Sequence, residues 1–234
     1  MAIYNGHLLD VACITEELRS LGEALNDPHA IAIAGVDAAL ALAFDNQAGD
    51  ALAALSGLDR ERLSPSDQSW VMYARGEALS ASGNPAAASA YAAAVEMALT
   101  IGNPFVSSVA RVSLATEHAR AGNFGEALDE YAICLHEYAR HGNFVHAVTT
   151  LRSLVDVLVA VGDDHGATVL ATATSGDHVR PSYGAENARL STSLAAVSQR
   201  AGAARIAKWT EEGKQLDLPQ AVKAAAELVH HHRS

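Results

Sequence analysis

The amino-acid sequence predicts an all-α protein built from antiparallel helical hairpins, and three observations lead to this fold class. Alanine, which has the highest intrinsic helix propensity, makes up roughly a fifth of the 234 residues. Gly-Asn or Gly-Asp pairs recur along the chain at a nearly constant interval. Between these pairs, apolar residues recur every three or four positions, which is the spacing of one buried helix face.

The recurring pairs mark the helix boundaries. They begin at Gly83, Gly102, Gly122, Gly142 and Gly162, with spacings of 19, 20, 20 and 20 residues. Glycine readily takes the left-handed conformation that ends a helix, and the following Asn or Asp supplies a side-chain oxygen that caps the next helix. The pattern therefore predicts a tight turn between helices at each pair.

Two prolines and one asparagine predict where individual helices begin. Pro85 and Pro104 directly follow their pairs, and we expect each of them at the first helical position, where a missing N–H costs nothing. We expect Asn123 to cap the next helix, so that replacing it with Ala costs about 1 kcal/mol.

The sequence divides into four segments. We expect residues 1–63 to form degenerate helical hairpins, with a turn at Asn46 and a boundary between helices at Asp27-Pro28. The regular repeats cover residues 64–175 and begin at a capping box of Ser64 and Asp67. Residues 176–228 predict a C-terminal cap of three helices, the last one capped by Asp217 and Gln220. Residues 229–234, with three histidines, form a tail that is either native or the remnant of a tag.

Composition excludes several functions. A formal net charge of -11 repels nucleic-acid phosphates and anionic membrane surfaces, so we expect no direct contact with either. No apolar run approaches the length of about 18 residues that spans a bilayer. Cys13 and Cys134 lack metal-ligand spacing and are expected to be small buried side chains of a reducing compartment. These features predict a cytoplasmic protein.

The sequences that follow Gly83, Gly122 and Gly162 are similar to one another, so the repeat is a hairpin of about 40 residues and not a single helix. This sequence pattern resembles the tetratricopeptide repeat, in which a small residue of the first helix faces a small residue early in the second. The corresponding pairs are Gly76 with Ala88, Ala115 with Ala127, and Val155 with Ala167. The usual first-helix tryptophan is replaced by Arg111 in the clearest repeat, and the terminal proline is absent.

The resemblance implies a right-handed superhelix, or α-solenoid, whose first helices line a concave groove for a protein, a peptide or a small effector. The repeat register assigns six residues to this groove: Tyr73, Glu77, Thr116, Arg120, Arg152 and Asp156.

The C-terminal segment resembles the end of the tetratricopeptide region in large bacterial signal-transduction ATPases with LuxR-type regulators and in their cyclase-linked relatives. The matching pattern is W-x-x-x-G-x-x-L-x-L-x-x-A-V, formed by Trp209, Gly213, Leu216, Leu218, Ala221 and Val222. The resemblance implies a sensor or interaction region of such a regulator. The sequence contains no G-x-x-x-x-G-K-[ST] phosphate loop, so any ATP or DNA activity would belong to other domains.

The sequence therefore favours a non-catalytic domain of a transcriptional or signalling regulator that binds a protein or effector. The alternative is an architectural repeat that forms homo-oligomers, such as a homodimer. No nucleophile, base and orienting group share a recognisable motif, so we expect no catalytic or cofactor site. His136, His141 and His146 lie five residues apart, which does not fit adjacent metal ligands on a helix, and we expect no metal site.

Overall fold

The computed structural model describes residues 8–142, 146–175 and 186–233. Within these ranges the chain forms twelve α-helices, one short 3-10 helix and no β-strand, which confirms the all-α prediction. None of the described helices is both long and apolar enough to cross a bilayer. The chain divides into two compact units, Met1–Leu114 and Ala115–Ser234.

The first unit contains five complete helices and a 3-10 helix at Arg60–Arg62. The five helices are α1 (Leu8–Leu25), α2 (Pro28–Phe44), α3 (Ala48–Ser56), α4 (Pro65–Ala81) and α5 (Ala86–Thr100). Helix α6 (Pro104–Arg120) runs through the boundary between the units. The six helices that lie wholly in the second unit are α7 (Phe124–His141), α8 (Ala147–Ala160), α9 (Asp164–Ala173), α10 (Glu186–Ala201), α11 (Ala203–Lys214) and α12 (Leu218–Arg233).

Small residues bring the helices of the first unit close together. Helix α1 packs on α2, α2 packs on α3 and α4, and α4 packs on α5. A Cβ added at Gly22 of α1 would lie 3.0 Å from the side chain of Ile31 on α2. A Cβ added at Gly76 of α4 would lie 2.5 Å from ring carbons of Tyr91 on α5, which is 1% exposed. A side chain at position 76 would therefore clash with Tyr91 unless the ring moved, whereas at position 22 the contact would be tight.

The second unit stacks two hairpins side by side. Helices α8 and α9 pack on each other, α10 packs on α8, and α11 packs on α9. Gly213 of α11 permits the last contact, since a Cβ there would lie 2.6 Å from the backbone oxygen of Val169. Helix α12 packs mainly on α7. Fully buried aliphatic side chains fill the interior, among them Leu151, Leu154 and Leu170.

The predicted turns lie where the glycine pairs place them. Gly83, Gly102, Gly122, Gly142 and Gly162 all have left-handed backbones, with φ between 63° and 87°. No helix runs through Gly122, because α6 ends at Arg120 and α7 begins at Phe124. The partner of Gly142 in the pattern, Asn143, lies outside the described residues.

Most of the predicted caps are also present. Asn84, Asn103 and Asp163 each accept a backbone N–H of the helix that follows, at 3.0, 3.2 and 2.8 Å. Asp217 and Gln220 form the expected reciprocal pair, at 2.8 and 2.9 Å.

Three details differ from the predictions. Asn123 lies at the N-cap of α7 but makes no side-chain capping hydrogen bond, so the predicted cap is wrong. Pro85 is the N-cap residue itself, and α5 begins one position later at Ala86. Cys134 is buried as expected, whereas Cys13 is exposed, because it lies on a side of α1 that faces away from α2.

The predicted segments, with limits after residues 63 and 175, follow the local sequence, whereas the two compact units follow tertiary contacts and meet between Leu114 and Ala115. The predicted tail from residue 229 continues α12 to Arg233. Its last turn is held by His232 Nε2, 3.0 Å from an Asp163 carboxylate oxygen, and by an ion pair of Arg233 with Asp129.

Candidate binding face

The six residues that the repeat register assigns to a groove lie in pairs on α4, α6 and α8. Within each pair the residues are four positions apart, so both lie on one face of their helix. Their exposure differs strongly from pair to pair.

The α4 pair, Tyr73 and Glu77, belongs to the first unit. Tyr73 is 5% exposed, and its ring centroid lies 5.9 Å from that of Trp70 and 6.2 Å from that of Tyr91. Glu77 is half-buried and accepts a hydrogen bond from Ser113 Oγ at 2.7 Å. Tyr73 therefore contributes to the aromatic core, and only Glu77 of this pair reaches solvent.

The α6 pair, Thr116 and Arg120, is more accessible. The Thr116 hydroxyl is half-buried and lies 3.5 Å from the Tyr131 hydroxyl. Burial raises the pKa of the Tyr131 phenol, which keeps it protonated and able to donate. Arg120 is exposed and forms an ion pair with Glu117 one turn earlier. The guanidinium of Arg120 is the most accessible charged group of the six.

The α8 pair, Arg152 and Asp156, is covered by α10. Arg152 is 9% exposed, and its guanidinium lies 3.3 Å from Glu186 and donates to the Thr174 carbonyl at 3.0 Å. Asp156 accepts from Arg189 at 2.6 Å and from Ser193 at 2.7 Å. These two residues therefore face a neighbouring helix, and the Asp156 side chain remains 21% exposed.

Helix α10 follows α8 in the same direction. Glu186 and Arg189 meet Arg152 and Asp156 in the same sequence order, and Arg200 near the end of α10 donates to the Val159 carbonyl at the end of α8. The α10 residues that make these contacts are three, four and seven positions apart, so they lie on one face. The sequence reasoning missed Glu186, Arg189 and Ser193, although the complementary charges on the two helices were a usable signal.

A second polar cluster joins α9 to the C-terminal helices. Asp163 caps α9 through Gly166 N–H and also contacts His232. His165 hydrogen-bonds Glu212 of α11 at 2.6 Å, which lowers the pKa of the Glu212 carboxyl. The His165 ring centroid lies 5.6 Å from that of the half-buried Trp209. Trp209 thus packs against α9, consistent with a structural anchor for the last helices.

The described ranges contain no candidate metal site. No three His, Cys, Asp or Glu side chains converge there in a way that could hold a metal ion. Among the three histidines of the five-residue series, the side chain of His141 lies outside the described residues.

No family model matches this chain, and no curated protein or solved structure is significantly similar to it.

Proposed function

We propose that this chain is a non-catalytic binding module of the tetratricopeptide kind, working in the cytoplasm as part of a bacterial transcriptional or signalling regulator. The observation that carries the proposal is a repeated pattern: left-handed glycine turns separate the helices at a nearly constant interval, and α4 with α5 and α8 with α9 pack as hairpins. In the second unit the first helices α8 and α10 lie side by side, as do the second helices α9 and α11. Modules stacked in this way present repeated helix faces to a ligand.

The proposed ligand is a protein segment or a small effector that contacts the inner faces of the first helices. Because α10 covers Arg152 and Asp156, the accessible part of the predicted face in the second unit is that of α6, with Thr116 and Arg120. A charged, exposed residue beside a half-buried hydroxyl offers both an ionic and a hydrogen-bonding contact.

Site-specific photocrosslinking tests this binding face. Arg120 is replaced by photoreactive p-benzoylphenylalanine, and the same residue replaces Lys208 as a control, since that exposed lysine lies on α11. Irradiation in extract of the source organism should give a discrete adduct from position 120 and none from position 208. Equal labelling at both positions, or no adduct at position 120, would count against the proposed face.

The assignment to a regulator rests on the C-terminal pattern that begins at Trp209 and includes Gly213, Ala221 and Val222. Gly213 permits close packing of α11 on α9, and Ala221 and Val222 are buried. The genomic reading frame tests it: coding sequence should continue into a nucleotide-binding domain upstream or a helix-turn-helix domain downstream. Stop codons that bound the chain closely on both sides would refute it.

An architectural role in self-association is the second candidate, and exposed aliphatic residues of α1 favour it. Ile14, Leu21 and Leu25 are 52%, 54% and 69% exposed, and their spacings of seven and four residues place them on one stripe. Such a stripe typically marks an interaction surface.

Light scattering coupled to size-exclusion chromatography separates the two candidates. If α1 mediates self-association, the wild-type chain is a dimer and Leu21→Glu makes it a monomer, whereas Ser20→Glu on another exposed side of α1 leaves the dimer intact. A wild-type chain that is strictly monomeric at high concentration excludes this role.

A further inference from the structure

A cleft of about 440 Å³ opens in the first unit between α3, α4 and α5. Helix α3 has 9 residues and α5 has 15, so at a rise of about 1.5 Å per residue α3 is much the shorter wall. Helix α3 packs on α2 and α4, and α5 packs on α4. The early end of α3 at Ser56 therefore leaves part of α4 exposed as the floor of a cleft between α3 and α5.

Small side chains on α5 keep the cleft open. The α5 residues that line it are Ala86, Ser89, Ala90 and Ala93, and their spacing places all four on one helix face. None of them extends beyond a Cβ or a hydroxyl, so that face leaves room for a guest molecule.

The opposite wall and the floor are aliphatic. Leu52 and Leu55 line the cleft from α3, and Val71 and Leu79 line it from α4. Leu55, Val71 and Leu79 are buried in the core, so they form a fixed surface. A surface of this kind binds hydrocarbon, since burying apolar area is favourable in proportion to the area removed from water.

The ionisable side chains at the cleft are both arginines, Arg60 and Arg75. Arg75 lies on α4 between Val71 and Leu79, four residues from each, and Arg60 lies on the 3-10 helix after α3. Both are exposed. No carboxylate is among the described residues that line the cleft, although the whole chain carries a net charge of -11.

These two arginines differ from the other basic residues of the described part of the first unit. Arg19 is held by Glu16 and Glu23, Arg62 donates to Asn26, and Arg111 also has a partner. Arg60 and Arg75 form no side-chain hydrogen bond or ion pair with any described residue. Their donors are therefore available to an anion that enters the cleft.

We propose that this cleft binds a small aliphatic carboxylate, with the hydrocarbon chain against the leucines and the small α5 face and the carboxylate on Arg60 and Arg75. Guanidinium groups bind carboxylates through charge-assisted hydrogen bonds, which a neutral head group cannot match. The cleft volume is within the usual range for a small-molecule site, about 300–1,000 Å³. A partner helix, the other conceivable occupant, would normally need an interface of about 800 Å² on each side.

Calorimetric titration of the full chain with dodecanoate, below its micelle concentration, tests the proposal, with dodecanol as the neutral comparator. Dodecanoate should bind saturably with one site per chain, and dodecanol should bind at least about tenfold more weakly. Arg60→Gln and Arg75→Gln should each weaken dodecanoate binding by about tenfold. Arg205→Gln is the matched control, because that exposed arginine lies on α11 in the second unit, and it should leave binding unchanged.

A second pair of variants tests the place of the hydrocarbon chain. Ala90→Phe fills the cleft and should abolish binding, whereas Ala92→Phe, at an exposed position of α5 outside the lining, should not. Circular dichroism melts show whether each variant is folded. If Ala90→Phe is unfolded, the arginine variants alone test whether the cleft binds the carboxylate. Absence of saturable binding, equal affinity for dodecanol, or binding only of an acidic amphipathic peptide would overturn the proposal.

Discussion

From the close contact between Gly76 and Tyr91 we predict how Gly76→Ala changes the free energy of unfolding. The new methyl carbon would lie 2.5 Å from two ring carbons and 3.0 Å from a third, whereas carbon atoms pack best at about 3.5–4.0 Å. The ring would have to move by about 1 Å. It has little room to do so, because Tyr91 is 1% exposed and its ring neighbours that of Tyr73.

The expected free-energy change combines two opposing effects. Overpacking of a core typically costs about 1–3 kcal/mol. Replacing glycine by alanine inside a helix contributes about 1 kcal/mol of stabilisation. The net result should be a loss of stability on the order of 1 kcal/mol, measured by urea denaturation with far-UV circular dichroism as the signal.

Gly125→Ala is the matched control for this experiment. Gly125 is also helical, near the start of α7, but a Cβ there would meet no atom within 4 Å. This change should stabilise the protein by up to about 1 kcal/mol. In a Tyr91→Leu background, Gly76→Ala should also lose its cost. If Gly76→Ala stabilised the wild-type protein as Gly125→Ala does, the close approach of α4 and α5 would be refuted.

Three further changes test local contacts. Asn103→Ala should cost about 1 kcal/mol, because the Asn103 side chain caps α6, whereas Asn123→Ala should change the unfolding free energy by less than about 0.5 kcal/mol; equal urea midpoint shifts would contradict this. Burial raises the pKa of the Asp37 carboxyl, so its charged form opposes folding and stability rises as the pH falls through that raised pKa. Asp37→Asn should therefore raise the Tm at neutral pH and lose this advantage in acid, below the ordinary aspartate pKa of about 3.9; a pH-independent gain would argue against it. Glu186→Ala should cost about 3 kcal/mol in urea denaturation because it removes a carboxylate partner of the buried Arg152, which keeps its hydrogen bond to the Thr174 carbonyl, while Arg152→Met with Glu186→Leu should be nearly neutral; additive losses would refute this account.

The helix boundaries could be predicted because they depend on residues close in sequence. A glycine with φ above zero needs no tertiary partner, and the reciprocal hydrogen bonds of Asp217 and Gln220 span three positions. Asn123 shows the limit of this reasoning. Its residue type favours a cap and its position is right, yet its side chain does not make the hydrogen bond.

The sequence did not predict which helix packs on the face that carries Arg152 and Asp156. The register places Arg152 and Asp156 on one side of α8, but their partners on α10 lie 33 to 37 positions away. Helical periodicity shows which side chains share a face and says nothing about which helix packs on that face. The same applies to Cys13, whose exposure depends on how much of α1 is covered by α2.

The cleft of the first unit was also beyond sequence reasoning. It results from the length of α3, which ends at Ser56, compared with that of α5. Residues 31–55 indicate a hairpin, but not how much of α4 its short second helix covers. Nor does the sequence show that Arg60 and Arg75 lie at one cleft, since they belong to different elements.

The polar attachment of α10 has a consequence for the dynamics of the second unit. Of its described residues only Glu186 and Val197 are buried, and two ion pairs, with Arg152 and with Asp156, join it to α8. Added electrolyte screens such contacts far more than it affects aliphatic burial, most strongly where the partners are partly exposed. The amide hydrogens of α10 should therefore exchange with deuterium sooner than those of α8, and faster still as the ionic strength rises, while the aliphatic interior between α8 and α9 keeps its protection.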